Sequence, residues 1–172
     1  MSHLNAIGPG KKAPEEIHVL VEIPKGSQNK YEVDKELGVV KLDRVLFSPF
    51  HYPGDYGYIP QTLGLDGDPV DALVLMTNPT YPGVLITARP IGALEMIDNG
   101  ESDDKILCVP VDDVRFKHVH DLSDIEEPTL NEIAHFFEVY KQLEKKKVEI
   151  IGWKNKAEAH EIIKKGIEDF KG

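Results

Sequence analysis

Short segments with alternating apolar and polar residues fill the first two thirds of the chain. Residues 17–23 carry apolar side chains at every odd position, which predicts a strand with one buried face. The same period, or a short apolar run, recurs between turns rich in glycine, proline, aspartate and asparagine. We expect further strands over residues 30–33, 39–46, 72–76, 84–88, 91–97, 105–111 and 148–153.

One stretch follows neither the strand period nor the helix period. Residues 47–64 are rich in proline, glycine and aromatic residues, and we interpret them as an ordered loop, because aromatic rings are costly to leave in water. Residues 1–16 are polar with several glycines and prolines, which predicts an N-terminal arm. Pro90 indicates a bulge or an edge position within its strand.

Two helices are expected near the C-terminus. The first begins near Pro128, which suits a first helical turn, or near Thr129, which forms a capping-box pattern with Glu132. The sequence pattern is compatible with a helix that starts at either residue. A closing helix is expected to start with Asn155 and Glu158 and to end near position 170. The apolar face of the first helix follows the i, i+3, i+4, i+7 spacing and consists of Ile133, Phe136, Phe137 and Tyr140.

The order of these elements indicates the fold class. Strands come first and helices collect at the end, which favours a mainly β fold with flanking helices (α+β) over an alternating βαβ fold. A compact antiparallel barrel of the oligonucleotide/oligosaccharide-binding (OB) type is compatible with this order. A chain of 172 residues suits one domain with its own core, so we expect residues 1–172 to form a single domain.

Charge and composition exclude several classes of function. The net charge of −10 opposes binding to nucleic acid or to an anionic membrane surface. No apolar run has the length of a signal peptide or a membrane span, so a cytoplasmic protein is expected. The only cysteine, Cys108, excludes an internal disulfide, and its apolar neighbours predict a buried, inert thiol.

Two stretches carry candidate metal ligands. Asp66-Gly67-Asp68-Pro69-Val70-Asp71 crowds three carboxylates into one turn, which fits either a Mg²⁺-type site or an acidic surface turn. It is not an EF-hand loop, because Val70 and Asp71 occupy the positions that require an oxygen ligand and a glycine. His118 and His120 would present two imidazoles on one strand face, but zinc needs a third protein ligand that is not nearby in sequence.

The remaining candidates are acids and anion-binding groups. Taken singly, each also fits an ordinary surface or core position. Together they match phosphoryl transfer to water, which requires neutralised phosphate charge, an activated nucleophile and a base. The acids are Glu22, Glu32, Asp66, Asp68, Asp71, Asp98 and Asp103; the anion-binding groups are Lys30, Arg44, Lys105, Tyr52, Tyr56 and Tyr140.

Over nearly its whole length, the chain resembles the soluble family I inorganic pyrophosphatases. The resemblance implies hydrolysis of inorganic pyrophosphate to two orthophosphates by metal-activated water, on a five-stranded barrel. The motifs that carry it are Glu22-Ile23-Pro24, Lys30-Tyr31-Glu32, Asp43-Arg44, Tyr52-Pro53, Tyr56-Gly57-Tyr58-Ile59-Pro60, Asp66-Gly67-Asp68-Pro69-Val70-Asp71, Ile133-Ala134-His135-Phe136-Phe137 and Tyr140-Lys141.

The resemblance also implies roles for the acids. Asp68 would be the general base, and several Mg²⁺ ions would bind in each active site, with Mn²⁺ or Zn²⁺ as substitutes. Asn99 follows Asp98 where some relatives carry glutamate, which puts the affinity for the substrate-borne metals in question. Asp66, Asp71 and Asp103 would hold the first metal, Asp71 would also bridge to a second, and Asp98, Asp103, Glu22 and Glu32 would hold the metals that arrive with substrate.

The phosphoryl groups would bind to cations and hydroxyls, with Tyr52 lining the site. The small prokaryotic members of the family are typically homohexamers, so the resemblance implies self-association into a hexamer. The phosphate-binding residues would be Lys30, Arg44, Tyr56, Lys105, Tyr140 and Lys141.

Two other functions are compatible with parts of the sequence. A non-catalytic barrel could bind single-stranded oligonucleotides through its aromatic residues, although the net charge opposes this. A metal-dependent phosphatase could act on nucleotides or other phosphate esters. Comparing pyrophosphate with ATP at equal Mg²⁺ separates this second alternative from a pyrophosphatase.

Overall fold

The computed structural model describes residues 3–172, so residues 1 and 2 of the expected arm lie outside the described residues. Within the described range there are nine β-strands and two α-helices. They are β1 (Ile17–Ile23), β2 (Asn29–Asp34), β3 (Val39–Val45), β4 (Asp55–Tyr58), β5 (Asp71–Val74), β6 (Leu85–Asp98), β7 (Glu101–Ser102), β8 (Lys105–Pro110), β9 (Val148–Lys154), α1 (Glu127–Val139) and α2 (Lys156–Asp169).

Five of the strands close into a ring. They pair in the order β1, β4, β5, β8, β6, and β6 pairs back with β1. All of these pairs are antiparallel except β5 with β8. The five-stranded barrel of the sequence prediction is therefore confirmed.

Strand β6 is long enough to pair with several other strands. It pairs with β1 and β8 in the ring and with β7 and β9 beyond it. The register shifts between Pro90 and Gly92, which confirms the bulge expected at Pro90 and joins the two predicted segments into one strand. A side chain at Gly92 would lie 2.5 Å from Leu122 Cγ, so the bulge needs a residue without one.

The interpretation of residues 47–64 as loop throughout is wrong at Asp55–Tyr58, which form β4 between β1 and β5. The strand has no apolar alternation because Asp55 and Gly57 interrupt it. Gly57 is required there, since a Cβ would lie 1.9 Å from the carbonyl oxygen of Leu20. Asp55 is fully buried and accepts a hydrogen bond of 2.8 Å from the backbone N–H of Lys25.

The two helices begin differently from each other. Helix α1 starts at Glu127 with Pro128 in its first turn, and no side chain caps it, so the Thr129–Glu132 capping box does not form. Helix α2 has a capping box. The side chain of Asn155 accepts the backbone N–H of Glu158 at 2.9 Å, and the side chain of Glu158 accepts the backbone N–H of Asn155 at 2.8 Å. The predicted apolar face of α1, Ile133, Phe136, Phe137 and Tyr140, is buried in the core.

A separate two-stranded hairpin, β2–β3, lies beside the barrel. The N–H of Val33 donates a hydrogen bond of 2.8 Å to Glu22 Oε1 on β1, which ties the hairpin to the ring. Cys108 is buried on β8, as expected, and burial raises the pKa of its thiol. Among residues 3–172, no helix has the length and apolar character needed to cross a membrane.

Candidate active site

A cleft of about 330 Å³ opens beside the barrel, next to the β2–β3 hairpin. It is lined by every predicted metal ligand, the predicted base and every predicted phosphate-binding residue except Arg44. A larger groove of about 890 Å³, lined by Phe50, Phe116 and His135 among others, shares none of the cleft's carboxylates. The predicted site residues that line the cleft are Glu22, Glu32, Asp66, Asp68, Asp71, Asp98, Asp103, Lys30, Lys105, Lys141, Tyr56 and Tyr140.

The acidic turn is held by its own backbone. The carbonyl oxygen of Asp68 accepts the N–H of Gly64 at 2.6 Å, and Asp66 Oδ1 accepts the N–H of Asp68 at 3.1 Å. Gly67 adopts φ +86°, a left-handed conformation that favours glycine. Asp71 then begins β5, so Asp71 reaches the cleft from a strand of the barrel and Asp66 reaches it from the turn.

A buried lysine stands between two of the acids. The parallel pairing of β5 with β8 sets Asp71 opposite Lys105. Lys105 Nζ lies 2.6 Å from Asp71 Oδ2 and 2.7 Å from Asp103 Oδ1, and the residue is only 3% exposed. Burial disfavours the charged ammonium, but the two carboxylates outweigh this and raise the pKa of Lys105.

Burial and mutual repulsion disfavour the charged forms of several of the crowded carboxylates. Burial raises the pKa of Glu22 to about 7, with a further contribution from the charge of Asp71. Burial, together with Asp103 and Asp71, raises the pKa of Asp66 to about 6. Burial also raises the pKa of Asp71, although Lys105 opposes the shift. Acids in this condition gain most from a divalent cation, so the donor set fits oxygen-binding metals.

The acids share the cleft without forming a closed set of metal ligands. Among residues 3–172, no three carboxylate or imidazole side chains converge closely enough to hold a metal ion as they stand. Lys105 takes the position between Asp71 and Asp103. The zinc alternative at His118 and His120 gains no support, because both side chains are exposed and the segment is not a strand.

Two further lysines of the cleft are paired with acids, Lys30 with two and Lys141 with one. Lys30 Nζ contacts Glu32 and lies 3.3 Å from Asp43 Oδ2, while Lys141 pairs with Asp98. The tyrosines at positions 56 and 140 are buried, and burial raises the pKa of both hydroxyls. These tyrosines therefore remain neutral hydrogen-bond donors at ordinary pH.

Arg44 lies outside the cleft and is held by two carboxylates. Its Nη1 is 2.6 Å from Asp43 Oδ2, and Nε and Nη2 are 2.9 and 3.1 Å from the two oxygens of Glu144. The Nε contact is close but poorly aligned, since that atom makes no proper hydrogen bond. Sequence analysis missed Glu144, which lies 100 positions from Arg44 in a short 3₁₀ helix, Gln142–Glu144, with no distinguishing pattern.

Tyr52 also does not line the cleft. It is 1% exposed and packs within an aromatic cluster, with its ring centroid 4.8 Å from that of Phe136, 5.5 Å from that of Tyr56 and 6.3 Å from that of Tyr140. Tyr52 thus supports the wall that carries Tyr56 and Tyr140.

A closed barrel with a cleft of carboxylates, paired lysines and buried tyrosines fits a metal-dependent enzyme that acts on phosphates. Residues 19–171 match the sequence profile described as inorganic pyrophosphatase. The chain belongs to the inorganic pyrophosphatase family, which confirms the resemblance noted from the sequence motifs.

Individual relatives agree with this assignment. An inorganic pyrophosphatase of Picrophilus torridus is 47% identical over 99% of this chain and 97% of its own length. One from Halalkalibacterium halodurans is 54% identical over 92% of this chain and 98% of its own length. The crystal structure of inorganic pyrophosphatase from Thermus thermophilus superposes with a TM-score of 0.96 at 45% identity, covering 99% of this chain and 100% of that one.

Proposed function

We propose that this protein hydrolyses inorganic pyrophosphate to two orthophosphates, with Mg²⁺ as its divalent metal. The observation that carries the proposal is the single cleft in which seven carboxylates meet Lys30, Lys105, Lys141 and two buried tyrosines. Family membership supports pyrophosphate as the substrate and implies a divalent metal cofactor. A cleft so rich in carboxylates repels a nucleic-acid backbone, so the oligonucleotide-binding alternative gains no support.

The acids divide into metal ligands and a base. When bound, the metals supply positive charge for the phosphates and lower the pKa of water. Asp68 is the proposed base: its side chain is exposed at the tip of the turn, and no donor or cation among the described residues engages it. The proposed ligands are Asp66, Asp71 and Asp103 for the first metal, Asp71 also for a second, and Asp98, Asp103, Glu22 and Glu32 for the metals that arrive with substrate.

The cations and tyrosines are proposed to bind the phosphoryl groups. A lysine ammonium carries three donors, so Lys30 and Lys141 can keep their present acids and still donate to phosphate oxygens. Tyr56 and Tyr140 donate neutral hydroxyls from the buried wall. Arg44 binds phosphate only by turning from Asp43 or Glu144, because a guanidinium has a fixed set of donors. Lys105 reaches both the acids and the cleft.

The function is tested by orthophosphate release. The purified protein is expected to release orthophosphate from pyrophosphate in Mg²⁺, to lose that activity with a chelator, and to regain it when Mg²⁺ is restored. Parallel assays replace Mg²⁺ with Mn²⁺ or Zn²⁺. ATP at equal Mg²⁺ serves as the matched substrate control and should be hydrolysed far more slowly. Equal rates on ATP would favour a general phosphatase, and no release in any metal would overturn the proposal.

We also propose that the chain assembles into a homohexamer. On one face of strand β3, Leu42 and Val45 are about half exposed, and Phe47 beyond the strand is 61% exposed. Apolar residues clustered on a surface mark protein–protein contacts. Sedimentation velocity should show a particle of six 19.3-kDa chains, and Leu42→Glu should shift it to smaller species. A wild-type protein that sediments as a monomer would contradict the hexamer.

Residues 1–172 are further proposed to act as one catalytic domain in the cytoplasm. Two hydrophobic clusters lie among the described residues, one with α1 and one with α2, and both are built on the strands of the same barrel. A single cooperative unfolding transition checks the first statement, and fractionation of the source cells checks the second.

A further inference from the structure

The acidic turn is anchored from outside by few groups. Gly67 and Asp68 at its tip face solvent, and Leu65 beside it is 77% exposed. On the side away from the cleft, a cavity of about 300 Å³ separates much of the turn from α2. The position of the turn therefore depends on its hydrogen bonds and on the places where it touches α2.

Val70, the residue before Asp71, is where the anchoring contacts converge. Its N–H donates to the hydroxyl of Thr62 at 3.0 Å, and its carbonyl oxygen accepts the N–H of Ile59 at 2.9 Å. The Thr62 hydroxyl in turn donates to the carbonyl oxygen of Ile59 at 2.6 Å. Val70 and Thr62 are 5% and 1% exposed, so neither side chain has solvent to move into.

Helix α2 reaches this point at Gly166. The carbonyl oxygen of Gly166 accepts the N–H of Leu63 at 2.9 Å, which joins the helix to the segment that leads into the turn. A Cβ at residue 166 would lie 2.7 Å from Val70 Cγ2 and 3.3 Å from Thr62 Cβ. Valine is branched at Cβ and has few alternative rotamers, so it yields poorly to such a contact.

The backbone conformation at residue 166 does not require glycine. Gly166 lies within α2 and does not have a positive φ. At a helical position glycine is less favourable than alanine, because it has more conformational freedom to lose on folding. The close approach to Val70 and Thr62 is the physical reason for its presence.

We infer that Gly166 is a positioning residue for the metal-binding acids. Because residue 166 has no side chain, α2 packs directly against Val70 and Thr62. This contact fixes the position of Asp71 at the start of β5 and the position of the turn that carries Asp66. Gly166 lines the cavity behind the turn but not the cleft, so it acts only through these neighbours. The inference rests on the proposed metal-dependent hydrolysis.

The test compares Gly166→Ala with Glu168→Ala, an exposed position on the same helix. Gly166→Ala is expected to bind Mg²⁺ about tenfold more weakly in calorimetric titration without substrate, which is the usual effect of disturbing the residues that orient metal ligands. Its kcat should fall while KM for pyrophosphate stays unchanged, because Lys30, Tyr140 and Lys141 lie on other elements. Glu168→Ala should match the wild type in all three quantities.

A compensating change separates positioning from general damage. Val70→Ala removes the methyl group that the new side chain meets, so Gly166→Ala/Val70→Ala should recover Mg²⁺ affinity relative to Gly166→Ala. Wild-type affinity in Gly166→Ala, or no recovery in the double variant, would overturn the inference. If Gly166→Ala does not fold, two variants of Thr62 replace it. Thr62→Val should weaken Mg²⁺ binding, whereas Thr62→Ser, which keeps the hydroxyl, should not. Equal Mg²⁺ affinities for these two variants would overturn the inference.

The wild-type protein distinguishes this inference from the proposed function. If the wild type neither binds Mg²⁺ nor hydrolyses pyrophosphate, the proposed function fails. If it does both and Gly166→Ala behaves identically, only the role of Gly166 fails.

Discussion

Replacing Asp68 with asparagine is expected to lower the turnover of pyrophosphate by about 10²- to 10⁴-fold, the range that a general base contributes. Asparagine keeps the size and the turn geometry of aspartate but cannot accept the proton from water. The backbone contacts of Asp68 to Asp66 and Gly64 do not depend on the carboxylate, so the turn should keep its shape. Steady-state kinetics with saturating Mg²⁺ measures the effect.

The matched control for this variant lies two residues away. Asp66→Asn removes a proposed metal ligand, so it should weaken Mg²⁺ binding, and excess Mg²⁺ should recover part of its activity. Asp68→Asn should bind Mg²⁺ as the wild type does and gain nothing from excess metal. Wild-type turnover in Asp68→Asn would remove this residue from the role of base, whatever the outcome at Asp66.

Lys105→Met is expected to destabilise the metal-free protein by about 3–5 kcal/mol, the range for removing one partner of a buried ion pair. Methionine keeps much of the side-chain volume but leaves Asp71 and Asp103 facing each other without the ammonium that now lies 2.6 and 2.7 Å from them. Added Mg²⁺ should restore part of the loss, since it can replace the missing charge. Denaturant unfolding with and without Mg²⁺ measures both effects.

Lys154→Met is the control for Lys105→Met. Lys154 also sits between two carboxylates, Asp104 at 3.1 Å and Glu95 at 3.4 Å, but its side chain is 26% exposed. Its loss should cost about 0–1 kcal/mol, as for surface pairs. Equal unfolding midpoints for Lys105→Met and the wild type would contradict the prediction.

The effect of Lys105→Met should also depend on pH. A carboxyl whose folded-state pKa lies above its unfolded value opposes folding once the pH exceeds the unfolded value. In the variant, the ammonium of Lys105 no longer opposes the rise in pKa that burial causes at Asp71. The destabilisation should therefore be largest near neutral pH and shrink as the pH is lowered and the carboxyls become protonated.

What the sequence predicted correctly depended on local patterns. The strand period of residues 17–23 and the start of the closing helix at Asn155 each follow from neighbouring residues, and the structure has both. The bulge at Pro90 follows from a missing N–H donor. The contents of the cleft were predicted from the family resemblance, because spacing alone left the acidic turn open between a metal site and a surface turn.

What the sequence did not predict depends on contacts between distant segments. Strand β4 is missing from the sequence prediction because a buried aspartate and a glycine interrupt its apolar pattern, and both residues are explained only by the strands beside them. The contact of Arg44 with Glu144 joins residues 100 positions apart. The approach of α2 to Val70 depends on the packed position of Gly166, which in sequence is an ordinary interruption of a helix.

The separation of the β2–β3 hairpin from the barrel gives the two sides of the cleft different local stabilities. Asp71 and Lys105 belong to the closed ring, where their displacement breaks ladder hydrogen bonds on both flanks. Lys30 belongs to the hairpin, which shares no ladder with the ring. The hairpin is tied to β1 by the bond to Glu22 and to the 3₁₀ helix Gln142–Glu144 by the Arg44–Glu144 pair. Sub-global opening of the hairpin would therefore displace Lys30 and Glu32 while Tyr56, Asp71 and Lys105 stay held by the ring.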